Sequence, residues 1–157
     1  MRIFSVTVIC LLSSWSVTAA DKPNFSGAWH LDGESQLPDG ILTAINIVQN
    51  ESNLRMSDAS AETNNKNVIN CTTTGKQCDA MLEGRPVRVS YWYNGPVLVE
   101  MLYLGKDNER VVKTRRSLSD DGHRMTVEMI QIVPPGKSPA KAVFVRDQKV
   151  AHENAAQ

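Results

Sequence analysis

From Asn24 onward, apolar and polar residues alternate one by one in short runs separated by turn formers. The first run, Asn24-Phe25-Ser26-Gly27-Ala28-Trp29-His30-Leu31, sets Phe25, Gly27, Trp29 and Leu31 on one side and Ser26, Ala28 and His30 on the other. That is the two-residue period of a β-strand. One face is apolar and must be covered. A glycine two residues before a large aromatic lets another backbone or ring approach closely, so Trp29 is expected to plug one end of a closed sheet.

The same reading continues along the chain. Asp32 to Gly40 is a turn-rich connection with room for one helical turn. Ile41 to Gln49 is β-rich, with Ile41, Ile45 and Ile47 on one face, and Asn50-Glu51-Ser52-Asn53 turns it into Leu54 to Asp58. Ala59 to Lys66 is small and polar and reads as an exposed loop. Asn67 to Thr73 and Cys78 to Glu83 are two weaker strands. The clearest alternation is Val87, Val89, Tyr91 and Tyr93 against Arg88, Ser90 and Trp92. Asn94-Gly95 is a strong hairpin signal leading into Val97 to Leu104, with Pro96 expected at the first position of that strand or on an unpaired side. Further turns at Gly105 to Asn108, Ser119 to Gly122 and Pro134 to Pro139 separate Arg110 to Leu118, Arg124 to Val133 and Ala142 to Lys149.

Short strands joined mostly by tight turns, with no helix longer than a turn or two, predict an all-β fold: an up-and-down antiparallel β-barrel of about 8–10 strands. Closure removes the unpaired edges that an open sheet would offer to aggregation. An immunoglobulin-like sandwich is the competing architecture, but its disulfide joins cysteines far apart in sequence.

The first 20 residues read differently. A positive start at Met1-Arg2, an apolar run from Ile3 to Leu12 and small residues in Thr18-Ala19-Ala20 describe a signal peptide cleaved before Asp21. The run is too short to span a bilayer and is broken at Ser13-Ser14. Removing 20 of the 157 residues leaves 137, enough for one domain over 21–149, with 150–157 a patternless tail expected to fray. Arg2 is the one charge lost, so 17 basic and 17 acidic residues become 16 and 17. Near neutrality gives no electrostatic reason to expect nucleic acid or an anionic membrane as partner. The expected location is periplasmic or extracellular. Cys10 leaves with the signal, and in an oxidising compartment Cys71 and Cys78 are expected to form a disulfide across the loop Thr72 to Gln77.

Asn24-Phe25-Ser26-Gly27-Ala28-Trp29, just after a signal peptide, resembles the Gly-x-Trp opening strand of the calycin superfamily, which groups lipocalins, fatty-acid-binding proteins and avidins. In those barrels the opening Trp packs near the floor against an Arg or Lys of the final strand, which implies that Trp29 packs on Arg146 of Val143-Phe144-Val145-Arg146. Leu98-Val99-Glu100 and the Leu118 to Val127 hairpin also resemble small exported lipocalin-like domains of bacteria. The lipocalin Thr-Asp-Tyr signature and an avidin-type aromatic cage are absent from the sequence.

Chemistry is sparse. The three histidines, His30, His123 and His152, are scattered, with no metal-ligand spacing, nucleophile elbow or phosphate-cradling loop. No enzyme activity, metal or cofactor is expected. Asp120-Asp121-Gly122 reads as a plain turn. Tyr91, Tyr93, Met101, Tyr103 and Met125, with Met81 and Met129, either line an adaptable apolar pocket or simply fill the barrel, and a barrel of this size can do both. Lys113 and Arg115 share one face of their strand while Arg116 joins Val112 and Leu118 on the other, and Arg88 lies opposite the tyrosines. The basic run is expected to be a solvated outer face. An inward Arg116 would need a carboxylate partner or an anionic ligand such as a fatty acid. The sequons at Asn24, Asn50 and Asn70 permit N-glycosylation in a eukaryotic secretory path.

Two functions follow from this reading. In one, the barrel binds a small apolar or carboxylate ligand in its interior, with the loops at Gly33 to Gly40 and Ala59 to Lys66 near its mouth. In the other, a solid barrel acts as an interaction or inhibitor module for another exported protein.

Overall fold

The computed structural model describes residues 22–33, 42–59, 67–136 and 138–147. The signal-like segment, most of the two mouth loops, Ile41, His152 and the tail lie outside the described residues. Ten strands follow one another in order: β1 (Gly27–Leu31), β2 (Ala44–Asn50), β3 (Asn53–Asp58), β4 (Val68–Thr72), β5 (Thr74–Leu82), β6 (Arg85–Asn94), β7 (Val97–Leu104), β8 (Arg110–Leu118), β9 (Arg124–Val133) and β10 (Ala140–Arg146). Each pairs antiparallel with its neighbours in sequence, and β1 pairs with β10, so the meander closes into a barrel. Trp29 shows the closure in a single residue, opposite Ile45 of β2 on one side and Arg146 of β10 on the other. The two-layer sandwich is thereby excluded.

Turn chemistry sets the register. At the β6–β7 hairpin, Asn94 pairs with Val97, so the two loop residues are Gly95 and Pro96. Gly95 takes a positive φ of 57°, which glycine adopts at little steric cost. Pro96 therefore sits in the turn and not at the head of the strand, where its missing N–H leaves the ladder intact.

Strand β1 starts three residues later than the alternation suggests. Lys22 to Ser26 is not paired in the sheet but crosses beneath it as a strap. The Gln49 side chain takes the place of a neighbouring strand: its Oε1 accepts from Phe25 N–H at 3.2 Å and its Nε2 donates to Pro23 O at 3.2 Å. Phe25 is thus driven up into the barrel, fully buried. The core is one cluster: Phe25, Trp29, Ile47, Leu54, Val89, Tyr91, Leu98, Met125 and Phe144 bury their side chains almost completely. Burial of this kind is worth roughly 1.5–3 kcal/mol per large apolar side chain and is the main favourable contribution to folding.

Candidate functional site

The barrel interior divides into a floor, a middle layer and an upper wall. At the floor, the guanidinium of Arg146 lies 4.5 Å from the ring centroid of Trp29 and donates through Nη2 to Asn24 O at 3.0 Å. Partial burial pushes the Arg146 pKa below its ordinary value, without approaching neutrality. The Trp29 indole N–H donates to Phe25 O at 2.9 Å, and the Tyr93 hydroxyl donates to Pro23 O at 3.2 Å. Gly27 meets a backbone need here. Its φ is +142°, and a Cβ placed on it would stand 3.4 Å from the Arg146 side-chain stem.

In the middle layer Arg116 faces inward. Its Nη1 donates to Glu100 Oε2 at 2.5 Å, with the two side chains only 9% and 7% exposed. This corrects the expectation of a solvated basic face: only Lys113 and Arg115 take that role, and Arg115 pairs there with Glu128 at 3.5 Å. Burial, the largest single influence, lowers the pKa of Arg116, but the Glu100 charge, the Tyr91 hydroxyl and the hydrogen bond to Glu100 together outweigh it and the net shift is upward. Tyr91 stands directly opposite Glu100 in the ladder. Its burial, then the Glu100 charge, raises its hydroxyl pKa well above the ordinary value. That hydroxyl has one proton and two acceptors in range, the Glu100 carboxylate and Met56 Sδ at 3.6 Å. The charged oxygen is the stronger acceptor. Arg116 Nε is buried without a hydrogen-bond partner among the described residues.

The cross-strand pairs Leu102↔Val112↔Gln131 and Thr114↔Met129↔Ala140 carry the inner face upward. Here the side chains change character. Leu31, Ile69, Leu102 and Met129 pack on the core yet are only half-buried, although they face the inside of the ring.

The sequence-predicted residues separate into two sets. Tyr91, Tyr93, Arg116 and Met125 share the inner face, and Tyr91 and Met125 are wholly buried. Met101 and Tyr103 point the other way and do not join them: Met101 lies opposite Ser90 and Lys113, and Tyr103 opposite Arg88 and Val111, on the outer surface. Met81 is also outside and 40% exposed. The cause is parity. A two-residue loop pairs odd-numbered residues of β6 with even-numbered ones of β7, so Leu98, Glu100 and Leu102 face in with the tyrosines.

Glu100 is the residue that sequence reasoning missed as a partner. Its signal is a carboxylate sitting in the inward register between Leu98 and Leu102, matched by Arg116 between Thr114 and Leu118.

Cys71 and Cys78 form a disulfide with a Cα–Cα distance of 5.8 Å. His30 and His123 are exposed, and no group of three or more His, Cys, Asp or Glu among the described residues could hold a metal. A shallow cleft of about 390 Å³ lies below the floor, bordered by Pro23, Pro96, Asp121 and Arg146. It opens away from the interior. Asp121 is already engaged by the Ser119 hydroxyl at 2.5 Å and the His123 N–H at 2.9 Å.

No protein-family model matches the chain, and no curated protein matches it. Solved structures do. A secretory abundant heat soluble protein from Ramazzottius varieornatus is 12% identical, with a TM-score of 0.60, and the match covers 83% of this chain and 100% of that one. A REP1-NXSQ fatty acid transporter is 13% identical, with a TM-score of 0.56, covering 78% and 96%. At such low identity the likeness is one of fold, and the fold of this chain is a closed ten-stranded antiparallel barrel.

Proposed function

We propose that the protein binds a small, mostly apolar ligand in the upper part of the barrel, above the Tyr91–Glu100–Arg116 layer. The observation that supports this most directly is the half-exposure of Leu31, Ile69, Leu102 and Met129 on the concave inner face, since apolar side chains that line a concavity without filling it leave contact surface for an apolar guest. The ligand that fits is uncharged. Arg116 is already neutralised by Glu100 at 2.5 Å, so a carboxylate guest would have to displace an internal carboxylate to reach it. One barrel of this fold is a fatty acid transporter. The apolar chain of a fatty acid agrees with the reading, whereas its carboxylate would meet a middle-layer cation that is already paired. The Cys71–Cys78 disulfide supports export to the periplasm or the extracellular space. The role proposed for the described residues is that of a binding protein.

Native mass spectrometry on the purified protein tests this, with a long-chain fatty alcohol and the fatty acid of equal length as probes. One equivalent of alcohol is expected to bind more tightly than the acid. Failure of both probes overturns the reading. A filled floor and middle layer also support a second reading, an interaction module for an exported protein, using the outer surface where Trp92, Met101 and Tyr103 are half-exposed. An empty barrel that retains a protein partner would favour it.

A further inference from the structure

One seam in the barrel wall differs from the rest. Among the described residues every adjacent pair of strands is registered at three or more positions, except β4 and β5, which are registered at Val68↔Met81 alone. Beside that pair, Asn67 Oδ1 accepts from Glu83 N–H at 2.6 Å, so the upper end of the seam is held. Three residues further along each strand stand Cys71 and Cys78, directly opposite each other and joined. Between these ties Ile69 and Asn70 face Asp79 and Ala80 with no registered pair. Strand β5 is also irregular against its other neighbour, where its register to β6 shifts between Thr74 and Gln77.

The two cysteines belong to the inner face. Cys71 lies opposite Leu54 and Cys78 opposite Val89, both wholly buried core residues. A stretch of wall registered at one position only is tied here by a covalent bond between side chains, and that bond is chemically reversible.

We propose that the Cys71–Cys78 disulfide is a redox-sensitive closure of the seam between β4 and β5, and that its reduction opens this part of the wall while the rest of the barrel stays shut. The reductant is a dithiol. Its first thiolate attacks Sγ of Cys78, the half-buried member of the pair, and the S–S bond breaks with Cys71 leaving as a thiolate. The second thiolate of the reductant resolves the mixed disulfide, releasing Cys78. Two electrons pass to the cysteine pair, the two protons of the dithiol end on Cys71 and Cys78, and the reductant becomes a cyclic disulfide. Strands β7, β8 and β9, with their long registered ladders, have no part in the change.

Amide hydrogen exchange followed by mass spectrometry on the full chain, with and without dithiothreitol, tests the proposal. Reduction is confirmed by the gain of two hydrogens in the peptide mass. Amides of residues 68–82 are expected to exchange at least roughly ten-fold faster after reduction, while those of 97–104 and 110–118 keep their rates. Resistance of the folded protein to dithiothreitol, unchanged exchange in 68–82 after confirmed reduction, or equal acceleration in every strand would each overturn it. The double variant Cys71→Ser, Cys78→Ser is expected to show the fast local exchange without any reductant, and slow exchange there would count against the proposal equally.

Discussion

Glu100 and Arg116 meet at 2.5 Å inside the barrel, one from β7 and one from β8, and each is the other's only ion-pair partner among the described residues. Removal of one partner strands the other charge in the core, whereas removal of both removes the problem. Arg116→Met or Glu100→Leu alone is expected to lower the unfolding free energy by ~3–5 kcal/mol, and the double variant by much less. A double-mutant cycle in urea checks this; additive single effects would show that the pair is not coupled.

The inner and outer methionines separate the interior site from the outer surface. Met129→Lys places a charge on the upper inner wall and is expected to abolish binding of the fatty alcohol, while Met101→Lys, on the outer surface, leaves it within about two-fold. Equal loss in both variants would move the site out of the barrel. Thermal unfolding of both proteins, run in parallel, shows that each is folded.

Gly27→Ala tests the floor. The φ of +142° is unfavourable for any residue with a Cβ, while the added methyl itself would only reach ordinary van der Waals contact with the Arg146 stem at 3.4 Å, so the strain lies in the backbone. A loss of about 1–3 kcal/mol is expected, read as a lower thermal midpoint. Ala28→Gly, one residue along, where no positive φ is found, is free of that backbone strain and serves as the comparison.

Alkaline pH should act through Tyr91. Its pKa is raised by burial first and by the Glu100 charge second, so the folded protein holds the proton where the unfolded chain releases it. The resulting stability is complete below the ordinary tyrosine value of 10.0 and declines as pH climbs above it toward the folded value. The slope attributable to this group is about 1.4 kcal/mol per pH unit. Tyr91→Phe is expected to flatten the decline, measured as urea midpoints across the alkaline range; an unchanged slope would assign it elsewhere.

Much of this architecture is legible in the residues, for a physical reason. Where one face of a strand is buried and the other wet, as from Asn53 to Met56, alternation is strict and both strand and turn can be read. Strand β7 is different, because Val99 on its outer surface is as hidden as Leu98 on its inner one. Two apolar faces give no direction, and only the parity of the Gly95–Pro96 loop shows that Met101 and Tyr103 point out. Strand β5 begins at Thr74 inside a stretch, Thr74-Gly75-Lys76-Gln77, whose composition is that of a turn. Phe25 reads as part of the first strand because its partner in the floor is the Gln49 side chain, 24 residues away, and local periodicity carries no information about so distant a contact. The middle layer is half-visible. An inward Arg116 plainly needs a partner, but the choice of Glu100 depends on strand register across two hairpins.

The bond from Arg146 to the Asn24 carbonyl joins positions 122 residues apart. Synthesis runs from the amino end, so the first strand emerges early and must wait, with one edge unmatched, until the tenth has been made. Throughout that interval the indole of Trp29 has no cation to rest on. A chain stopped anywhere short of its tenth strand would expose two bare rims, and the cell would meet it as a sticky ribbon in place of a sealed cup.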